Sequence, residues 1–151
     1  MIGSRNIIAG TRACPENSRE EGTGRREPTV RLHLWLETGD GVLFGLGRAL
    51  LLEEIEQRGS LRKAAEELGM SYRAAWGKIR KTEKILGFKL IEQNGSKKEG
   101  NRLTEQGRQL KEKYLLWLRE VESAALKKAE EIFPGPVRAY KEKVSGKILQ
   151  F

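Results

Sequence analysis

The stretch "SLRKAAEELGMSYRAAWGKIRK", residues Ser60–Lys81, decides how this chain folds. It holds two short amphipathic segments, each opened by a serine, on either side of Gly69. Ser60 caps the first, where Leu61, Ala64, Ala65 and Leu68 turn inward and Arg62, Lys63, Glu66 and Glu67 turn outward. Gly69–Ser71 supplies a tight turn, and Ser71 caps a longer helix that runs to Leu86 before Gly87. Two helices joined by a Gly-containing turn of about three residues form a helix-turn-helix pattern.

Within the second of these helices, Ala75, Ile79, Thr82 and Leu86 recur at core spacing. Tyr72, Arg73, Trp76, Gly77, Arg80 and Lys84 then fall on another side. Two aromatics, cations and a glycine make a poor solvent face and a good docking face. A guanidinium pairs with guanine edges, an aromatic ring contacts a thymine methyl, and a missing side chain at Gly77 permits close approach. Packing of Tyr72 and Trp76 against a neighbouring helix is the competing structural reading.

Working outward, an apolar face of Leu51, Leu52 and Ile55 predicts a helix over Arg48–Arg58, stopped at Gly59. Before it, Val30, Leu32, Leu34 and Leu36 alternate with Arg31, His33 and Trp35, the period of a half-buried strand. The turn residues Thr38–Gly41 let Val42–Phe44 pair back as a hairpin. On the other side, Lys89–Gln93 reads as a strand and residues 94–102 as a Gly-flanked basic hairpin, or wing, with Lys97, Lys98 and Arg102 available for phosphates. Thr104 caps a long helix, Glu105–Ile132, stopped by "FPGP". Leu110, Tyr114, Trp117 and Val121 form one stripe on it, which Leu115, Leu118, Ala125 and Ala129 broaden. That is more apolar width than a small domain needs, so Leu110, Tyr114, Trp117, Leu118, Val121 and Ala125 are expected at a homodimer interface.

The expected fold is α+β, mainly α: a winged helix-turn-helix with a leading β-hairpin and a long C-terminal dimerisation helix. Residues 1–28, rich in Gly, Ser, Thr, Arg and Glu, read as a flexible tail; 29–133 as the domain; 134–151 as a basic tail.

Charge supports a polyanion partner. The 151 residues carry 29 Lys and Arg against 21 Asp and Glu, a net +8. The excess is concentrated in residues 60–102, with 11 basic against 5 acidic side chains. Residues 105–133 balance at 6 of each. Cys14 is the only cysteine, so no internal disulfide forms and a reducing, cytoplasmic setting is expected. No signal-peptide run opens the chain and no apolar stretch is long enough to span a membrane. His33, the only histidine, stands without ligand partners; no catalytic set, metal site, phosphate loop or cofactor motif is present, so an enzyme is not expected.

From about Val30 to Phe133 the chain resembles the DNA-binding domain of the molybdate-responsive regulators, the ModE family. The resemblance rests on the leading hairpin, "GSLRKAAEELGMSYRAAW" (Gly59–Trp76), the Gly-bearing wing and "LTEQG" (Leu103–Gly107); "SYRAAW" followed by Ile79 is its more specific part. "AAEELGMS" and "EKILGFKLIE" also look like LysR-type regulators. The resemblance implies operator binding to double-stranded DNA as a two-fold dimer, with helix 71–86, including Ser71, in the major groove and the wing on phosphates. Full-length ModE regulators carry oxyanion-binding domains; the roughly 18 residues after the long helix hold none. The expectation is therefore a stand-alone DNA-binding module to which the resemblance does not carry over molybdate sensing, with a ligand or a separate sensor protein as open alternatives for its control. Two other classes compete with it: a protein-interaction module built on the Tyr72/Trp76 face, and an architectural DNA binder indifferent to sequence.

Overall fold

The computed structural model describes residues 27–95, 100–144 and 147–149. Residues 1–26 of the expected 1–28 tail, and Lys97 and Lys98 of the wing, lie outside them. In chain order the elements are β1 (Thr29–Val30), β2 (Trp35–Thr38), β3 (Gly41–Gly45), α1 (Leu46–Arg58), α2 (Leu61–Glu67), α3 (Tyr72–Leu86), β4 (Ile91–Gln93) and β5 (Asn101–Leu103). They continue with α4 (Glu105–Ile132), β6 (Arg138–Ala139), β7 (Glu142–Val144) and β8 (Lys147–Leu149). The sheets are all two-stranded: β2–β3, β4–β5 and β7–β8 are antiparallel, and β1–β6 is parallel.

Local chemistry sets the helix ends. Gly59 and Gly87 stop α1 and α3 in the left-handed region, at φ 66° and 76°. Ser60, Ser71 and Thr104 cap α2, α3 and α4 by accepting hydrogen bonds from the N–H groups of Lys63, Ala74 and Gly107. The core between these helices is aliphatic: Leu51, Leu52, Ile55, Leu61, Ile79 and Leu90 are fully buried, with Phe44 edge-on to Tyr114 at 5.3 Å. Each fully buried Leu or Ile contributes on the order of 1.5–3 kcal/mol.

Polar contacts then fix how the elements sit. The Thr82 hydroxyl donates to the Leu43 carbonyl at 2.8 Å, holding α3 to β3. At the wing's base the Asn101 N–H donates to the Gly59 carbonyl at 2.8 Å. A Cβ on Gly100 would run into that same carbonyl, so this position requires glycine. On α4, Lys111 is buried and paired with Glu53 and Glu56 of α1. Burial lowers the Lys111 pKa, but its bonds to Glu53 and Glu56 outweigh that and hold it above the ordinary lysine value.

Two expectations are corrected. The strand over Val30–Leu36 is divided: Val30 pairs with Ala139, and the hairpin strand begins only at Trp35. The Leu34 carbonyl accepts the Tyr114 hydroxyl at 2.9 Å, and a register shift follows between Leu36 and Glu37. The alternation held only to residue 34, where Leu32 and Leu34 are half-buried and Arg31 and His33 exposed; Leu36, expected inward, is exposed. The second concerns residues 134–151, read as a basic tail with no element assigned to it, part of which packs on the domain. Val137 is buried, β6 pairs with β1, and Arg31 lies over the Tyr140 ring at 4.4 Å. No helix among the described residues is long and apolar enough to cross a membrane.

Candidate nucleic-acid interface

The face left outward on α3 is built from side chains stacked on one another. Tyr72 and Trp76, one helical turn apart, lie nearly parallel, with ring planes 13° apart and centroids separated by 6.5 Å. The Arg62 guanidinium of α2 lies 5.4 Å from the Tyr72 ring, and that of Arg80 lies 5.1 Å from Trp76. The result is a row Arg62–Tyr72–Trp76–Arg80, cationic at both ends and aromatic in the middle. Tyr72 is 46% exposed and Trp76 39%, so neither packs under a neighbouring helix.

Arg73, Gly77 and Lys84 are exposed on the same helix. A Cβ on Gly77 would meet nothing within 4 Å inside the domain. No internal contact therefore demands glycine there. Ser71 is exposed, but its hydroxyl is engaged in the cap, 3.1 Å from the Ala74 nitrogen.

Behind the row stands Glu83, which the sequence reading passed over. Its carboxylate is buried and accepts from the N–H groups of Leu90 at 2.9 Å and Ile91 at 3.4 Å. It also receives Arg80 at 3.1 Å and Lys89 at 3.2 Å. Burial raises the Glu83 pKa, but these donors outweigh burial and hold it below the ordinary carboxylate value. One side chain thus ties α3 to the start of the wing and orients Arg80. Arg62 was also missed as a member of the row, because it comes from α2. An acid placed four residues after Ile79 in an otherwise apolar phase was the available signal for Glu83; for Arg62 there was none.

On the wing, Arg102 pairs with Glu92 across the β4–β5 ladder at 2.8 Å and remains 63% exposed. The α4 set divides. Tyr114 and Leu118 are buried in the domain's own core, against Phe44 and the Leu34 carbonyl, which removes them from the surface open to a second copy. Leu110, Val121 and Ala125 are half-buried, while Trp117 and the unanticipated Leu116 are exposed. Among the described residues no group of three or more His, Cys, Asp or Glu is placed to hold a metal ion.

Residues 46–108, which run from α1 to the first turn of α4, match the family described as bacterial regulatory helix-turn-helix protein, lysR family. This segment is similar to the LysR-type helix-turn-helix. The chain is also similar to the molybdenum transport protein ModE of Azotobacter vinelandii, 31% identical over 110 residues. That match takes in 70% of this chain and 41% of the relative, so the chain spans less than half of that protein's length. Among solved structures, the CbnR_DBD–DNA complex is 18% identical, over 58% of this chain and 97% of that one, at a TM-score of 0.48. The BenM_DBD/benA site 1 DNA complex is 20% identical, over 61% and 100%, also at 0.48. The LysR-type segment contains the whole row from Arg62 to Arg80, and the described domain is a ModE-like and LysR-like winged helix.

Proposed function

We propose that this chain is a transcription regulator that binds double-stranded DNA sequence-specifically as a two-fold dimer. In this reading α3 lies in the major groove, the wing rests on phosphates, and α4 pairs with its counterpart in a second copy. The observation that carries it is the exposed row Arg62–Tyr72–Trp76–Arg80 on a LysR-type helix-turn-helix. Large aromatics left in solvent forgo burial worth several kcal/mol, so a surface that stacks them between guanidiniums is suited to a polyanion that also offers flat apolar edges. Duplex DNA has both: phosphates for Arg62 and Arg80, and base edges and thymine methyls for Arg73, Tyr72 and Trp76. Exposed Leu116 and Trp117 on α4 favour the second copy.

The test is competition binding, using a duplex selected from source-genome fragments against a scrambled duplex of equal length. Preference for the selected duplex supports the reading. Equal affinity for both would replace it with a sequence-indifferent architectural binder. No binding to either at moderate salt would leave the row as a protein-docking surface.

A further inference from the structure

Remote from the aromatic row, a cleft of about 320 Å³ opens between residues 31–35, β3, the first turn of α1, and α4. Lys78 of α3 reaches it, two residues and so about 200° around the helix from Trp76. Its lining is cationic on one side, with Arg31, Arg48 and Lys78 beside His33, and aromatic on the other, with Trp35 and Tyr114. No aspartate or glutamate lines it.

Arg48 is the informative residue. Its Nε is buried and has no hydrogen-bond partner within the protein, the one such side-chain atom among the described residues. Burial lowers the Arg48 pKa, and no carboxylate counteracts it. Elsewhere this fold neutralises its buried charges: Lys111 has Glu53 and Glu56, and Glu83 has Arg80, Lys89 and two backbone N–H groups. Arg48 as a whole is half-buried, so it is the Nε–H alone that loses water without gaining an acceptor, and a buried donor left unpaired costs about 1–3 kcal/mol. The first turn of α1 adds to the imbalance, since it contains no acidic residue and Gly45 caps it without a side chain.

We propose that this cleft is a site for a small anion, with a phosphate or carboxylate group held on Arg48 and flanked by Lys78 and Arg31. A planar guanidinium suits both ligand groups, because each presents paired anionic oxygens. The site is separate from the proposed DNA face, so it stands or falls independently of that reading.

The experiment is isothermal titration of the full chain with inorganic phosphate and, separately, with acetate, at constant chloride and ionic strength. Saturable one-to-one binding of either is expected, and which of the two binds more tightly identifies the ligand's charged group. Arg48→Gln should weaken that binding by about tenfold or more, the worth of one charge-assisted hydrogen bond. Lys78→Gln, at an exposed position that does not support the core, should weaken it severalfold and decides the matter if Arg48→Gln does not fold. Absence of saturable binding up to about 20 mM, beyond the weakest useful affinity, would overturn the proposal. So would phosphate binding that Lys78→Gln leaves unchanged, since the ion would then sit elsewhere on the basic surface.

Discussion

Replacing Glu83 with alanine should cost this domain about 3–5 kcal/mol, a large fraction of the 5–15 kcal/mol typical of a folded domain. The figure follows from deciding which of its four contacts matter. Arg80 and Lys89 are 48% and 58% exposed, so their ion pairs with Glu83 contribute little in water. The N–H groups of Leu90 and Ile91 belong to residues 0% and 6% exposed, and both lose a charged acceptor when the carboxylate goes. A hydrogen bond to a charged group is worth about 1.5–3 kcal/mol, and a buried donor left unpaired keeps its desolvation cost. The shorter bond, from Leu90, should dominate over that from Ile91. Glu83→Gln retains one acceptor oxygen and should lose about half as much. Urea unfolding of the three proteins, with equal slopes, gives the differences directly. A loss below about 1 kcal/mol for the alanine variant would refute the claim that Glu83 holds α3 to the wing.

Four other outcomes are expected. Arg73→Ala, on the first turn of α3, should cost about 1–3 kcal/mol on the selected duplex and relax preference at one base pair per half-site, whereas Arg80→Ala should weaken all duplexes alike; electrophoretic titration separates the two. Replacing Lys97 and Lys98 with alanine should flatten the salt slope of DNA binding by up to about 2, and an unchanged slope would place the wing away from the duplex. Sedimentation at micromolar concentration should give about twice the 17.1 kDa chain mass, and a strict monomer would remove the two-fold site. Acid should destabilise the domain: Glu83, Glu53 and Glu56 all titrate below the ordinary carboxylate value when folded. Their stabilising contribution is therefore present above the unfolded value of about 4.3 and lost as pH falls through the lower folded values. Melting midpoints from pH 7 to 3 should stay level and then drop below about pH 4.3, with the drop reduced in Glu83→Gln.

What was legible in the sequence is what local chemistry determines. The starts of α2, α3 and α4 and the stops of α1 and α3 were readable because a serine or threonine cap and a left-handed glycine act within one turn of the residues they affect. The inward faces of α2 and α3 were readable because burial follows the helical period, and Leu61, Ala64, Ala75 and Ile79 are all buried. Misreadings came where the deciding contact is distant. Val30 leaves the hairpin because its partner is Ala139, and nothing near residue 30 signals that pairing. Tyr114 looked like part of a free stripe, yet Leu34, 80 residues earlier, takes its hydroxyl.

The candidate interface divides along the same line, and the division carries a consequence for its chemistry. Tyr72, Trp76 and Arg80 could be grouped from their spacing alone, since residues four apart on a helix touch. Arg62 joins them only through the angle at which α2 meets α3, and that angle is set by Leu61, Ala64 and Ala65 packing on the shared core. Arg80 is fixed in turn by Glu83, whose other contacts are Lys89 and the backbone of Leu90 and Ile91. The Arg62 end of the row is therefore held by contacts outside α3, whereas Arg80 is held by an i,i+3 partner on α3 that is itself anchored to the backbone before the wing. Isolated α3 would keep the aromatic pair and Arg80 but lose Arg62, the cation at the other end. The arrangement that suits a polyanion is thus a property of the folded domain, although the sequence of α3 supplies most of its atoms.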